Sequence, residues 1–127
     1  MADQQVVREK LDKGYLMINT IIEIVGTPRE HVEETLRLVL KQLREEKGVD
    51  VLGGKVHEPK AQGNFFSTFA ELNVLVKDFS TLISLCFSYM PSSVEIVEPA
   101  QFKLAPIEVA NLFNDLLGRV HEIDMRL

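Results

Sequence analysis

Hydrophobic positions change period along the chain, and each change marks an element. Over residues 15–25, Leu16, Ile18, Thr20, Ile22 and Ile24 fall on one side, and Tyr15, Met17, Asn19, Ile21, Glu23 and Val25 on the other. A period of two on β-branched residues predicts a strand with one greasier face. The period then becomes helical, with Val32, Leu36, Val39, Leu40 and Leu43 in one stripe that reaches about Lys47. Thr27 as cap, Pro28 at the first helical position and Glu30 closing a capping box set its start, and Gly48 its stop. Glu33 and Arg37 have the spacing of a supporting i,i+4 pair.

Residues 49–58 predict a second strand, in which Gly53-Gly54 marks a bulge or bend. Residues 59–64 predict a turn. The third strand, 65–76, places Phe66, Ala70, Leu72, Val74 and Val76 on one face and Phe65, Phe69, Glu71 and Asn73 on the other. Asp78 caps a helix over 79–90, Pro91-Ser92-Ser93 turns the chain, and a short strand over 94–98 ends at Pro99. A short helix over 3–12, with Val6, Val7 and Leu11 on one side, precedes this core. A long helix opened by Pro106 follows it. The order β-α-β-β-α-β predicts an α+β protein of the ferredoxin-like type, a four-stranded antiparallel sheet with helices on one face. Its 127 residues predict a single domain, with the core over 15–98 and the last helix over 106–127.

Two helices stand out. The one over 79–90 carries no charged residue. Ile83, Cys86 and Met90 form its expected core stripe, and Ser80, Ser84 and Ser88, with Leu85 nearby, the opposite side. A solvated side normally bears Lys or Glu, so this one is expected to lie under another helix or subunit. In the last helix Val109, Phe113, Leu116, Val120, Ile123 and Leu127 step by 4, 3, 4, 3 and 4, and Leu112 and Leu117 widen the stripe. Asp115 with Arg119, and Glu122 with Arg126, are spaced as solvent-face pairs. The stripe packs either on its own domain or on a second copy. The expected interface residues are Leu85, Val109, Phe113, Leu116, Val120 and Ile123, and the expected partner is a homo-oligomer, a dimer first.

Charge narrows the function. With 14 Lys+Arg against 19 Asp+Glu the chain is acidic at −5, which disfavours binding to a phosphate backbone. No apolar run approaches the ~20 residues of a spanning helix, so a soluble cytoplasmic protein is expected, with neither nucleic-acid nor membrane partner. Cys86 is the one cysteine, which excludes an internal disulfide framework and a cysteine-based zinc cluster. It reads as a buried thiol on an apolar stripe.

The segment Ile24-Val25-Gly26-Thr27-Pro28 joins the first strand to the first helix. Gly26 permits close backbone approach, and the helix N-terminus offers N–H groups and positive potential to a carboxylate or phosphate. Arg29 and His31 would add charge. His57, with Glu58, ends the second strand on the same edge of the sheet and would close the site. This arrangement resembles an ACT-like regulatory domain over about residues 17–98. The resemblance implies a loop that binds an amino acid at a subunit interface, here through Gly26, Thr27, Pro28, Arg29, His31 and His57. Neither the histidines nor His121-x-x-Asp124 show tight metal-ligand spacing, so no metal or other cofactor is expected. Glu23 and Glu71, on neighbouring strands beside Asn19 and Asn73, form a polar strip that could support acid–base chemistry. The expectation is a non-catalytic module that senses a small anionic or zwitterionic metabolite as a homo-oligomer. The alternatives are an assembly protein built on the apolar helices and a small enzyme built on Glu23 and Glu71.

Overall fold

The computed structural model describes residues 3–126. Strand β1 (Leu16–Gly26) keeps the alternation of its sequence, with Leu16, Ile18, Thr20 and Ile22 buried on one face. Helix α2 (Arg29–Arg44) lays Val32, Leu36, Leu40 and Leu43 on that face. Strand β2 (Val49–Val56) returns along the sheet but not beside β1. Strand β4 (Phe65–Val76) fills the gap, antiparallel to both, from Leu16↔Val76 to Gly26↔Phe66 on one side and from Val49↔Val76 to Val56↔Ala70 on the other. Helix α3 (Phe79–Tyr89) crosses back to strand β5 (Ser93–Glu98), which pairs with the other edge of β1. The order β2-β4-β1-β5 is that of the ferredoxin-like fold, and the sequence expectation of an α+β architecture holds.

The core lies between the sheet and helices α2 and α3. Ile18, Ile22, Leu36, Leu43, Val74 and Val76 are almost wholly withdrawn from water there, which is where most of the stabilisation by apolar burial arises. The helix α1 (Gln4–Asp12) crosses one end of the opposite face. Its Lys10 pairs with Asp50 on β2, its Arg8 reaches Glu98 on β5 at 3.5 Å, and Leu75 lies buried in between. The neighbouring carboxylate of Asp50 holds the Lys10 ammonium above the ordinary lysine range.

Four local expectations are corrected. The turn over 59–64 contains a short strand, β3 (Lys60–Gln62), which pairs with the start of β4 around Gly63. At φ +60° Gly63 takes the left-handed conformation that the tip requires. Thr27, Pro28 and Glu30 form no capping box. The Thr27–Pro28 peptide is cis, Pro28 itself is the N-cap, and its carbonyl accepts from the N–H groups of His31 and Val32. Strand β2 ends at Val56, two residues short of Glu58.

The fourth correction is the phase of α3. Leu82 and Leu85 are its buried residues, with Phe79, Cys86 and Tyr89 against the core, while Met90 is exposed. In a helix apolar on every side, periodicity does not fix which side turns inward. Leu85, expected at an interface, is therefore part of the chain's own core. The outer side carries Ser84, whose hydroxyl accepts from Arg119 Nη2 at 2.6 Å in the long helix α4 (Pro106–Arg126).

The cap expected at Asp78 forms, accepting from the hydroxyl and N–H of Thr81 at 2.7 and 2.8 Å. Those two bonds hold the Asp78 carboxyl below the ordinary carboxylate range. Asp78→Ala is expected to lower stability by about 1 kcal/mol at neutral pH. Because the folded-state pKa is depressed, the contribution is present above the ordinary carboxylate range and is lost as pH falls through it toward Asp78's own lower value. Urea melts of both proteins from neutral to acid pH check this: their difference should shrink on acidification, and a constant difference would contradict it.

Candidate functional site

Between α2 and the far end of β2 the surface folds into a cleft of about 570 Å³. Leu36 and Leu40, on the inner side of α2, form an apolar floor with Val56 and Thr68. Glu30, Glu33, Glu34, Arg37 and Arg44 rise along one wall, and the segment His57-Glu58-Pro59 makes the other. Glu30, Glu33, Arg37, Leu40 and Arg44 follow one another at steps of 3, 4, 3 and 4, which is why one line of α2 borders the cleft from end to end.

The charges in the cleft are not equivalent. Arg37 is held by both carboxylate oxygens of Glu34, and Glu33 is engaged by Arg29 at 3.2 Å. The bond to Glu34 holds the Arg37 guanidinium above its ordinary range. Arg44, Glu30 and Glu58 have no ion-pair partner among the described residues. The cleft thus offers one uncommitted guanidinium and two uncommitted carboxylates over an apolar base. A site of that kind suits a small molecule with charges of both signs.

The residues expected to bind a ligand are distributed around this cleft rather than gathered in it. Gly26 closes β1 close to the first turn of α2, since a Cβ there would lie 3.6 Å from Val32. Thr27 and Pro28 are exposed, and Pro28 contributes a carbonyl to the helix rather than a donor. Arg29 lies along α2 against Glu33, and His31 is exposed on the same turn. His57 lines the cleft, but its ring stacks on Phe69, centroids 4.0 Å apart, and its Nε2 lies 2.9 Å from Glu71 Oε2. Phe69 and Glu71 belong to the sheet face turned away from α2, because the alternate residues Thr68 and Ala70 are buried toward the core. The sheet therefore separates the His57 imidazole from Arg29 and His31, while the His57 carbonyl accepts the Thr68 hydroxyl on the cleft side.

That open face carries the polar strip expected from β1 and β4. Asn73 donates to Asn19 at 2.9 Å and to the Ile18 carbonyl at 3.3 Å, and Glu23 accepts from Ser67 at 3.1 Å. A groove of about 490 Å³ runs along it past Lys55, Glu71 and Glu95. Glu23 and Glu71 each have a separate partner and both remain open to solvent. Among the described residues no group of three or more His, Cys, Asp or Glu is placed to hold a metal ion. No helix among them is long and apolar enough to cross a membrane. Burial pushes the Cys86 thiol up, which leaves it a weak nucleophile.

Helix α4 packs on α3 and leaves the polar strip uncovered. Val109, Leu112, Asp115 and Arg119 are half-buried on the α3 side, whereas Phe113, Leu116, Leu117, Val120 and Ile123 are exposed. Leu127, the last member of the predicted stripe, lies outside the described residues, as does the side chain of Arg126. Sequence reasoning passed over Arg44 but placed Glu58, beside His57, on the edge where it is found. The signal for Arg44 was present, since it continues the 3-4 spacing of Glu30, Glu33 and Arg37.

Comparison with curated proteins and with solved structures returned no match. Residues 17–124, from the start of β1 to the last turn of α4, match the MJ0538 family, and the chain therefore belongs to the MJ0538 family.

Proposed function

We propose that the chain is a non-catalytic, regulatory ligand-binding module of ACT-like type that works as a homo-oligomer. The cleft between α2 and the end of β2 carries this reading. Its volume of about 570 Å³ falls within the ~300–1,000 Å³ of ordinary ligand pockets. Arg44 suits a carboxylate, Glu30 and Glu58 suit an ammonium, and Leu36, Leu40 and Val56 suit an aliphatic or aromatic body between them. The ligand class is a small zwitterion of amino-acid size. Its binding adds no bond-breaking step, so the output is a change in association or in a partner protein. A lone half-buried thiol at Cys86 suits a reducing, cytoplasmic setting.

A thermal-shift panel of amino acids tests the reading. A ligand at ~100 times its Kd stabilises the folded state by about 2.7 kcal/mol, a rise of several degrees in Tm for a domain of this size. Arg44→Ala is expected to abolish the rise, and Arg29→Ala to leave most of it. A flat panel, or a rise that survives Arg44→Ala, overturns the cleft as the site. A second reading, that of an assembly protein, is favoured by the exposed apolar side of α4.

A further inference from the structure

The charges of the cleft are sorted by position. Between its ends they are spent on one another, Glu34 with Arg37 and Glu33 with Arg29. At the ends they are not. Arg44 at the C-terminal end of α2, Glu30 at its N-terminal end and Glu58 have no ion-pair partner among the described residues. Strand β2 starts at Val49, shortly after α2 ends, and runs back along it to Val56, so Glu58 lies toward the Glu30 end. The helix rises about 21 Å between Glu30 and Arg44. Helical side chains lean toward the N-terminus, so Glu30 does not reach for Arg44, and the opposite charges stay ~10 Å or more apart. The backbone beside the cleft is also uncommitted. The His57 N–H donates to the Phe69 carbonyl at 2.9 Å, and Val56 pairs with Ala70. Alternate residues of an antiparallel ladder turn their N–H and C=O to opposite sides, so those of Val56 point away from β4. Among the described residues no strand pairs with that side of β2.

We infer that the cleft takes a short peptide of about three residues, its C-terminal carboxylate on Arg44, its amino group at Glu30 and Glu58, and its backbone on the free edge at Val56. The inference rests on the reading of the cleft as a zwitterion site and sets the length of its ligand. The ammonium and carboxylate of a single α-amino acid lie within the ~3.5 Å that one residue spans. Such a ligand meets one end of the cleft, leaves the other unpaired and binds more weakly. An extended tripeptide spans about 10 Å and meets both. Its middle residue lies over the apolar floor of Leu36, Leu40 and Val56, where the walls present no uncommitted charge. With its carboxylate at Arg44 the peptide runs antiparallel to β2, so that Val56 exchanges both backbone hydrogen bonds with one of its residues. An alkyl chain bearing the same two charges has nothing to offer those backbone groups.

Isothermal titration calorimetry of the full chain tests this with the tripeptide alanyl-leucyl-alanine, its N-acetyl and C-terminal amide forms, free leucine, and an ω-amino acid of the same length. The free tripeptide should bind at least about tenfold more tightly than leucine or the ω-amino acid, and blocking either of its ends should cost about tenfold or more. Arg44→Ala should weaken the free tripeptide by as much and leave the amide form unchanged, because the two changes remove the same contact. Leucine that binds as tightly as the tripeptide, with binding lost in Arg44→Ala, overturns the peptide and leaves the cleft as a zwitterion site. An ω-amino acid as tight as the tripeptide overturns the pairing with Val56, and with it the peptide. Absence of binding by every ligand, or binding that survives Arg44→Ala, overturns the inference together with the reading of the cleft.

Discussion

Leu43→Ala is expected to lower the unfolding free energy by about 2–5 kcal/mol, against total stabilities of ~5–15 kcal/mol for domains in general. Leu43 is 0% exposed and sits in the last turn of α2, inside the cluster that joins α2 to β1, β2 and β4. Truncation removes its apolar burial and leaves a cavity that a packed sheet and helix cannot fully close. Leu38, on the same helix and chemically identical, is 52% exposed. Leu38→Ala should change stability by no more than about 0.5 kcal/mol. Urea melts of the two variants read the helix's orientation directly. Equal losses would mean that α2 does not present the Val32–Leu36–Leu40–Leu43 side to the sheet.

Gly54→Ala should cost about 1–3 kcal/mol, for a different reason. A Cβ at Gly54 would come within 2.4 Å of the Glu71 carbonyl and 2.8 Å of a Leu72 methyl, and the first of these is backbone in the central strand β4. The neighbouring Gly53, where the β2 register shifts, has nothing within 4 Å of its missing Cβ. Gly53→Ala should be far milder, since a bulge position in open space gives the new methyl nothing to strike. Each variant adds one methyl, and the two differ only in its position. A larger loss at Gly53 than at Gly54 in chemical melts would place the close approach at the wrong glycine.

The fold was legible because several signals agreed at each boundary. Alternation over β1, the 3.6-residue stripe of α2 and the Asp78 cap each specify their element locally, and the order of elements then leaves few sheet topologies. Gly53-Gly54 announced its bulge through composition alone. What failed was information that resides in tertiary contact. The side of α3 that faces inward is undetermined in a helix without charges, so Leu85 read as surface and is core. Strand β3 is three residues long and exists because β4 extends past β2 and offers it an unpaired edge.

The candidate site shows the same division. His57, Arg29 and His31 lie near one edge in the sequence-derived topology, but strand alternation sends the His57 ring to the opposite face of the sheet, where Phe69 and Glu71 receive it. The cleft's own charges come from one line of α2 met by a loop some fourteen residues further on. The spacing of that line is visible in the sequence. Which loop it meets is decided by the crossover from α2 to β2. The apolar stripe of α4 and the serine side of α3 were evident from their spacing, whereas Asp115 and Arg119, spaced as a solvent-face pair, turn toward α3, where Arg119 donates to both Ser84 and Asp115.

The most direct test of the ligand-binding account is an ¹H–¹⁵N NMR titration of the full chain with amino acids of differing side-chain size and charge. The account predicts that at least one produces saturable shifts centred on the amides of Leu40, Arg44, Val56, His57, Glu58 and Thr68, and that Arg44→Ala removes them. Saturable shifts centred on the open face of the sheet, or no saturable shift at the cleft with any member of the panel, would contradict it.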